Sequence, residues 1–146
     1  MKYLEKLKDY NEWKKKNEDF SFFDYLPIKL TIEQLLLASQ LFLPEISIEE
    51  DCVFIKQSRQ YKFLHKYKNQ FKEKSSLEKY INCFFLECIF QCETDNDKQN
   101  IKMLAEVIKT AWEAYFYKNY PEFQMRVEIY EDEFDGWCIT CFTNIS

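Results

Sequence analysis

Across 146 residues this chain contains one glycine, Gly136. Only at that point can the backbone enter left-handed conformations without a side-chain penalty. Collagen-like and low-complexity architectures are excluded, and so is any phosphate-binding loop built from glycines. The three prolines, at 27, 44 and 121, are too few to make a linker. With 47% hydrophobic and 18% aromatic residues, the chain is too apolar to be disordered throughout. The length suits one core, so the expectation is a single α+β domain over residues 1–146.

Hydrophobic spacing divides the chain into helical and strand-like stretches. Tyr3, Leu4, Leu7, Tyr10 and Trp13 recur at three- and four-residue steps, predicting an amphipathic helix over 3–16, peripheral to the domain. Residues 17–27 break that pattern and read as an aromatic-rich loop. Thr31 with Gln34 forms a capping-box pattern that opens a helix to about Leu43, apolar on nearly every side and therefore expected to be buried. After Pro44 the period becomes two, predicting a hairpin of Ile46–Glu49 and Cys52–Lys56 about a Glu50-Asp51 turn. Helical spacing returns over 58–73. Ser75 with Glu78 suggests a second capping box, starting a helix to about Cys92, and Asn96 is the expected cap of a long helix to about Asn119. The last segment alternates again: Phe123–Tyr130, a turn over Glu131–Gly136, then Trp137–Thr143. The expected architecture is about five helices on a small antiparallel sheet made of two hairpins.

Charge is segregated along this chain. Residues 17–51 hold eight acids and one lysine, 56–79 hold seven lysines and Arg59 against two glutamates, and 121–146 hold six acids and Arg126. Such blocks bear on partners and association rates rather than on fold. They can attract a partner of opposite sign or one another. With 18 lysines against two arginines and a net charge of −5, the chain is poorly equipped to read nucleic acid. Aromatics within the basic stretch (Tyr61, Phe63, Tyr67, Phe71) fit a core face better than a stacking platform. No apolar run reaches a membrane span and the N-terminus is too charged for a signal peptide, which leads to an expectation of a cytoplasmic protein.

Chemistry-bearing motifs are sparse. Cys138 and Cys141 form a CxxC, but in a strand residues three apart face opposite sides, and the only second pair is Cys88/Cys92. All six cysteines are read as reduced, and small core positions are the favoured reading over metal ligands. His65, the sole histidine, lies on a lysine-rich face and reads as a solvated side chain. No catalytic residue, cofactor or metal site is assigned. The acidic runs Glu49, Glu50, Asp51 and Glu131, Asp132, Glu133, Asp135 read first as solvated turns and second as a surface for a basic partner. Phe134, Trp137 and Tyr130 are candidate aromatic anchors beside the second run.

Three segments together resemble a known class: "LTIEQLLLASQLFLPEI", "SIEEDCVFIK" and "AEVIKTAWEAYFYKNYPEFQMRVEIYEDEFDGWCITCF". Their order and hydrophobic layout, over roughly residues 20–145, are similar to bacterial immunity proteins of polymorphic and contact-dependent toxin systems. That resemblance implies a cytosolic, non-enzymatic inhibitor of one cognate toxin domain, many such toxins being basic nucleases. It transfers no individual contact residue. The rival expectations are an adaptor or chaperone-like interaction protein and a cysteine-based metal-binding protein.

Overall fold

The computed structural model describes residues 3–144, which fall into two compact units that divide between Ser39 and Gln40. The class is α+β, as expected, but the strands form two separate small sheets.

In the first unit a short 3-10 turn over Leu4–Lys6 precedes α1 (Lys8–Lys16), followed by α2 (Phe22–Lys29) and α3 (Ile32–Ser39). The single helix expected over 3–16 is interrupted at Leu7, whose backbone is extended. The Asn11 amide donates to the carbonyls of Leu4 (2.9 Å) and Leu7 (2.8 Å) across that break. The loop expected over 17–27 is corrected by α2. Ser21 and Asp24 form a capping box that starts it, and the helix tolerates Pro27 at the cost of one backbone bond. Tyr10, the one buried residue of α1, packs edge-on against Tyr25 at 5.5 Å, and Trp13 stacks on Phe20 at 5.9 Å. Asp9 accepts from the Tyr25 hydroxyl at 2.5 Å and pairs with Lys29 at 3.1 Å. Both partners hold the Asp9 carboxyl below its ordinary range, while burial and that same bond push the Tyr25 phenol to about 12.

The Thr31–Gln34 capping box is present, with Thr31 N–H to Gln34 Oε1 at 2.9 Å and Gln34 N–H to Thr31 Oγ1 at 3.1 Å. The helix it opens is shorter than expected and none of its residues is buried. Ile32, Leu36 and Leu37 are 79%, 65% and 67% exposed. The expectation of a buried helix therefore fails. The aromatic cluster is assembled by α1 and α2, and apolar side chains spread around every side of a helix give no single face for it to cover.

The second unit begins with the predicted hairpin, β1 (Ile46–Glu49) and β2 (Cys52–Ile55). Glu50 and Asp51 both have positive φ, 51° and 65°, which is the two-residue geometry that suits the strand twist. Every residue of β2 is buried. The helix expected over 58–73 is broken into a 3-10 turn at Tyr61–Phe63 and a single turn α4 (Leu64–Tyr67). Phe71, beyond that turn, packs on Tyr80 at 5.4 Å. His65 is exposed, as expected.

The largest correction concerns residues 75–92. The helix there ends early, as α5 (Lys74–Ile81), followed by a two-residue strand β3 (Phe84–Phe85) and a short α6 (Leu86–Ile89). Glu78 is fully buried and bonded to other strands, so it closes no capping box with Ser75. The long helix α7 (Asp95–Asn119) is capped by Thr94 and Asp97, not by Asn96. Its stripe of Ile101, Ala105, Ile108, Trp112 and Phe116 packs on the three-stranded sheet around Val127, Ile139 and Cys141. The Trp112 indole donates to Leu41 O at 2.7 Å, which satisfies its one polar atom in the core. The sheet has the order β3-β5-β4, with β4 (Met125–Asp132) and β5 (Gly136–Thr143) paired antiparallel without a break. Glu131 and Asp132, expected in the turn, are the last residues of β4. A second cluster of Cys52, Phe54, Leu64, Leu77 and Ile81 lies on the other side of β2.

Candidate functional site

The β4–β5 turn consists of Glu133, Phe134 and Asp135 between the ends of two eight-residue strands. Asp132 organises it. Its Oδ1 accepts from the N–H groups of Phe134 and Asp135, both at 2.9 Å, and those donors hold its carboxyl below the usual range. Asp132 is thus occupied by its own turn. Gly136 closes the turn at φ 71°, and a β-carbon built there would lie 1.0 Å from Glu87 Oε2. The Glu87 carboxylate, reaching from α6, accepts from the Trp137 N–H at 2.7 Å. The lone glycine therefore answers two demands at once: a left-handed backbone and the close approach of a carboxylate.

Phe134 at the tip is 90% exposed. Glu131, Glu133 and Asp135 have no ion pair among the described residues, and the Asp135 carboxylate meets the Cys88 thiol at 3.9 Å. Beside the turn lies a cleft of about 360 Å³ walled by Glu87, Cys88, Cys92 and Lys98 on one side and by the turn on the other. Trp137 and Tyr130 are not free anchors. Trp137 is half-buried against the core with Lys102 over its ring at 5.2 Å. The Tyr130 hydroxyl contacts Cys83 Sγ at 3.2 Å, and burial pushes its phenol well above the ordinary range.

The first acidic turn has a different fate. Glu50 pairs with Lys68, and Lys74 donates to the Glu50 carbonyl at 2.9 Å and lies 3.8 Å from Asp51. Glu49 accepts from the Tyr61 hydroxyl at 3.3 Å. Part of the basic segment has folded onto part of the acidic one, as the charge blocks allowed. Glu49 and Glu50 line a separate cleft of about 200 Å³ that shares no residue with the cleft at the second turn. The ten residues singled out from the sequence thus do not converge on one surface. Glu131, Glu133, Phe134 and Asp135 remain as an unengaged group. Glu87 and Lys98, which the sequence did not mark, and Cys88, marked only as a half of a possible metal pair, are brought beside them by α6 and the start of α7.

Five of the cysteines carry thiols held in the neutral form. Burial raises Cys52 to about 11 and Cys138 to about 12, and raises Cys83, Cys92 and Cys141 as well. Cys138 and Cys141 sit in β5 as expected: Cys141 lies in the core against α7, while Cys138 lies with Cys83 and Tyr130. Among the described residues no three His, Cys, Asp or Glu side chains are disposed to hold a metal ion. No described helix is long and apolar enough to cross a membrane. Comparison with protein-family models, with curated proteins and with solved structures finds no match.

Proposed function

We propose that the protein is a non-enzymatic binding protein that neutralises a basic protein domain in the cytoplasm, in the manner of the immunity proteins its segments resemble. The observation that carries this reading is the β4–β5 turn. Carboxylates without ion-pair partners among the described residues surround an almost fully exposed phenylalanine at the end of a hairpin of unbroken register. An aromatic anchor ringed by one sign of charge gives a partner both a buried contact and electrostatic steering. The toxin domain itself is the proposed partner, and a nuclease would supply the matching basic surface. Glu49, Glu50 and Asp51 have a smaller part in this reading, because lysines of the same chain already neutralise much of that turn.

The test is capture with the full chain as bait, washed at low and high salt, compared across two charge reversals. A stoichiometric basic partner should be lost at high salt and on reversing Glu131, Glu133 and Asp135, but kept on reversing Glu49, Glu50 and Asp51. Binding that survives reversal at the second turn removes that turn from the function. An adaptor role is the second reading. It is favoured by the exposed Phe23, Ile32, Leu36 and Leu37 of the first unit, and would predict capture by residues other than the acidic turn.

A further inference from the structure

The two long edges of the three-stranded sheet are treated very differently by the rest of the chain. Asn144 N–H donates to Gln124 O at 3.2 Å, so Gln124 and Asn144 are a hydrogen-bonded pair. Given the unbroken register, Arg126, Glu128, Tyr130 and Asp132 turn their backbone groups toward β5. The N–H and C=O groups of Met125, Val127, Ile129 and Glu131 therefore point away from the sheet. None of them has a hydrogen-bond partner among the described residues. This edge has no proline, no bulge and no lysine, three of the devices that ordinarily discourage strand pairing, and its charges are of both signs.

We infer that the outer edge of β4 pairs with β4 of a second copy of this chain, antiparallel about a two-fold axis at Val127. Pairing requires outward-facing residues to oppose one another, which limits the axis to whole-residue positions along the strand. An axis at Arg126 sets arginine against arginine, and one at Glu128 sets glutamate against glutamate. An axis at Ile129 sets Glu131 against Val127. With the axis at Val127, Arg126 lies opposite Glu128 of the second copy, twice by symmetry, Met125 lies opposite Ile129, and Val127 meets itself. Arg126 is suited to this, since it is exposed and its one recorded contact is with Asn144 Oδ1 at 3.5 Å. Glu128 is partly exposed and carries a single lysine partner, Lys79 at 2.7 Å. Opposite charges directly across an antiparallel pair stabilise it and like charges oppose it. The inference stands whether or not the acidic turn binds a partner.

Sedimentation of the full chain across a concentration series tests it, using the wild type, R126E, E128R and an equimolar mixture of the two variants. R126E alone sets glutamate against glutamate and E128R alone sets arginine against arginine, so each should weaken self-association by about tenfold. The mixture restores both opposite-charge pairs and should recover wild-type association as a heterodimer. A wild type that stays monomeric at every concentration overturns the inference. So does association that R126E leaves unchanged, or a mixture that fails to recover, since a folding defect in either variant cannot be repaired by adding the other.

Discussion

The side of β5 that faces β3 and the outer edge of β4 are the two sides of one long hairpin, yet only the first is closed. Along β5, Trp137 N–H is held by Glu87, and Phe84 of β3 pairs with Ile139. Asn82 then donates to Cys141 O at 3.0 Å, and Glu78 accepts from Thr143 N–H at 3.3 Å and from its hydroxyl at 2.7 Å. The same two side chains of α5 serve the outer edge of β2. Glu78 accepts from Val53 N–H at 2.9 Å, while Asn82 accepts from Ile55 N–H and donates to Val53 O, both at 2.8 Å. A glutamate and an asparagine one helical turn apart thus replace a missing strand between two sheets. Backbone groups buried there must be paired, whereas those on β4 have been left for something else to pair.

The largest effect should come from opening the closed edge. Asn82→Ala strips partners from Ile55 N–H, Val53 O and Cys141 O at a fully buried position. An unsatisfied buried group costs about 1–3 kcal/mol, so a loss on the order of 4 kcal/mol is expected in urea unfolding. An unchanged denaturation midpoint would show that the two sheets do not depend on this bridge.

Glu78 gives the bridge a pH signature. Burial raises its carboxyl above the ordinary 4.5, against the bonds from Val53 and Thr143 that favour the charged form. A raised native value means that the folded state keeps the proton longer than the unfolded chain does. Its contribution is full below about 4.5 and is lost as pH rises through the raised value. Asp9, Asp24, Asp97 and Asp132 are all lowered, so their contributions are present above the ordinary aspartate value and lost as pH falls through the lowered ones. The difference in stability between wild type and Glu78→Gln, measured across pH 4 to 8, should therefore shift against the wild type as pH rises. A flat difference would mean that Glu78 titrates alike in the folded and unfolded chain and that its burial does not shift it.

Why the bridge was invisible in the sequence follows from its geometry. Both hairpins and the long helix α7 were legible because local periodicity and the β1–β2 turn act over a few residues. Ser75 and Glu78 carry a capping-box pattern, and the apolar run from Leu77 to Cys92 carries helical spacing. Both signals were overridden by bonds to strands 25 to 65 residues away. The chain leaves the helix at Asn82 so that Phe84 and Phe85 can join β5. The second acidic turn was legible as charge, but not as the one with free carboxylates, because Lys68 and Lys74 reach the first turn through tertiary structure alone. Phe134 was recognisable as a candidate anchor, whereas Trp137 and Tyr130 looked alike until their neighbours were in place.

A smaller effect is expected where Glu87 closes the lower end of the β5 edge. Gly136→Ala would force a side chain into a left-handed backbone and displace the Glu87 carboxylate, for a loss of about 1–2 kcal/mol. Glu87→Ala removes the obstacle but leaves the Trp137 N–H without its partner, costing about 1 kcal/mol. Because the two residues touch, the double variant should lose less than the sum of the single ones, by about 0.5–1 kcal/mol. Strict additivity in chemical denaturation would show that the glycine is required by its φ alone.

The smallest effect on stability should come from Phe134→Ala at the open end of the hairpin. The ring is 90% exposed, so its removal should change stability by less than about 0.5 kcal/mol. Asp132 would still hold the turn through its bonds to the backbone of residues 134 and 135, which do not depend on the ring. If the turn is a docking site, the same substitution should weaken partner binding by tenfold or more, roughly the 1–2 kcal/mol expected of a buried aromatic anchor. Equal small effects on stability and on binding would leave the phenylalanine without a role in recognition. A large loss of stability would instead make it part of the fold, and the exposed ring would need a contact within the chain to explain it.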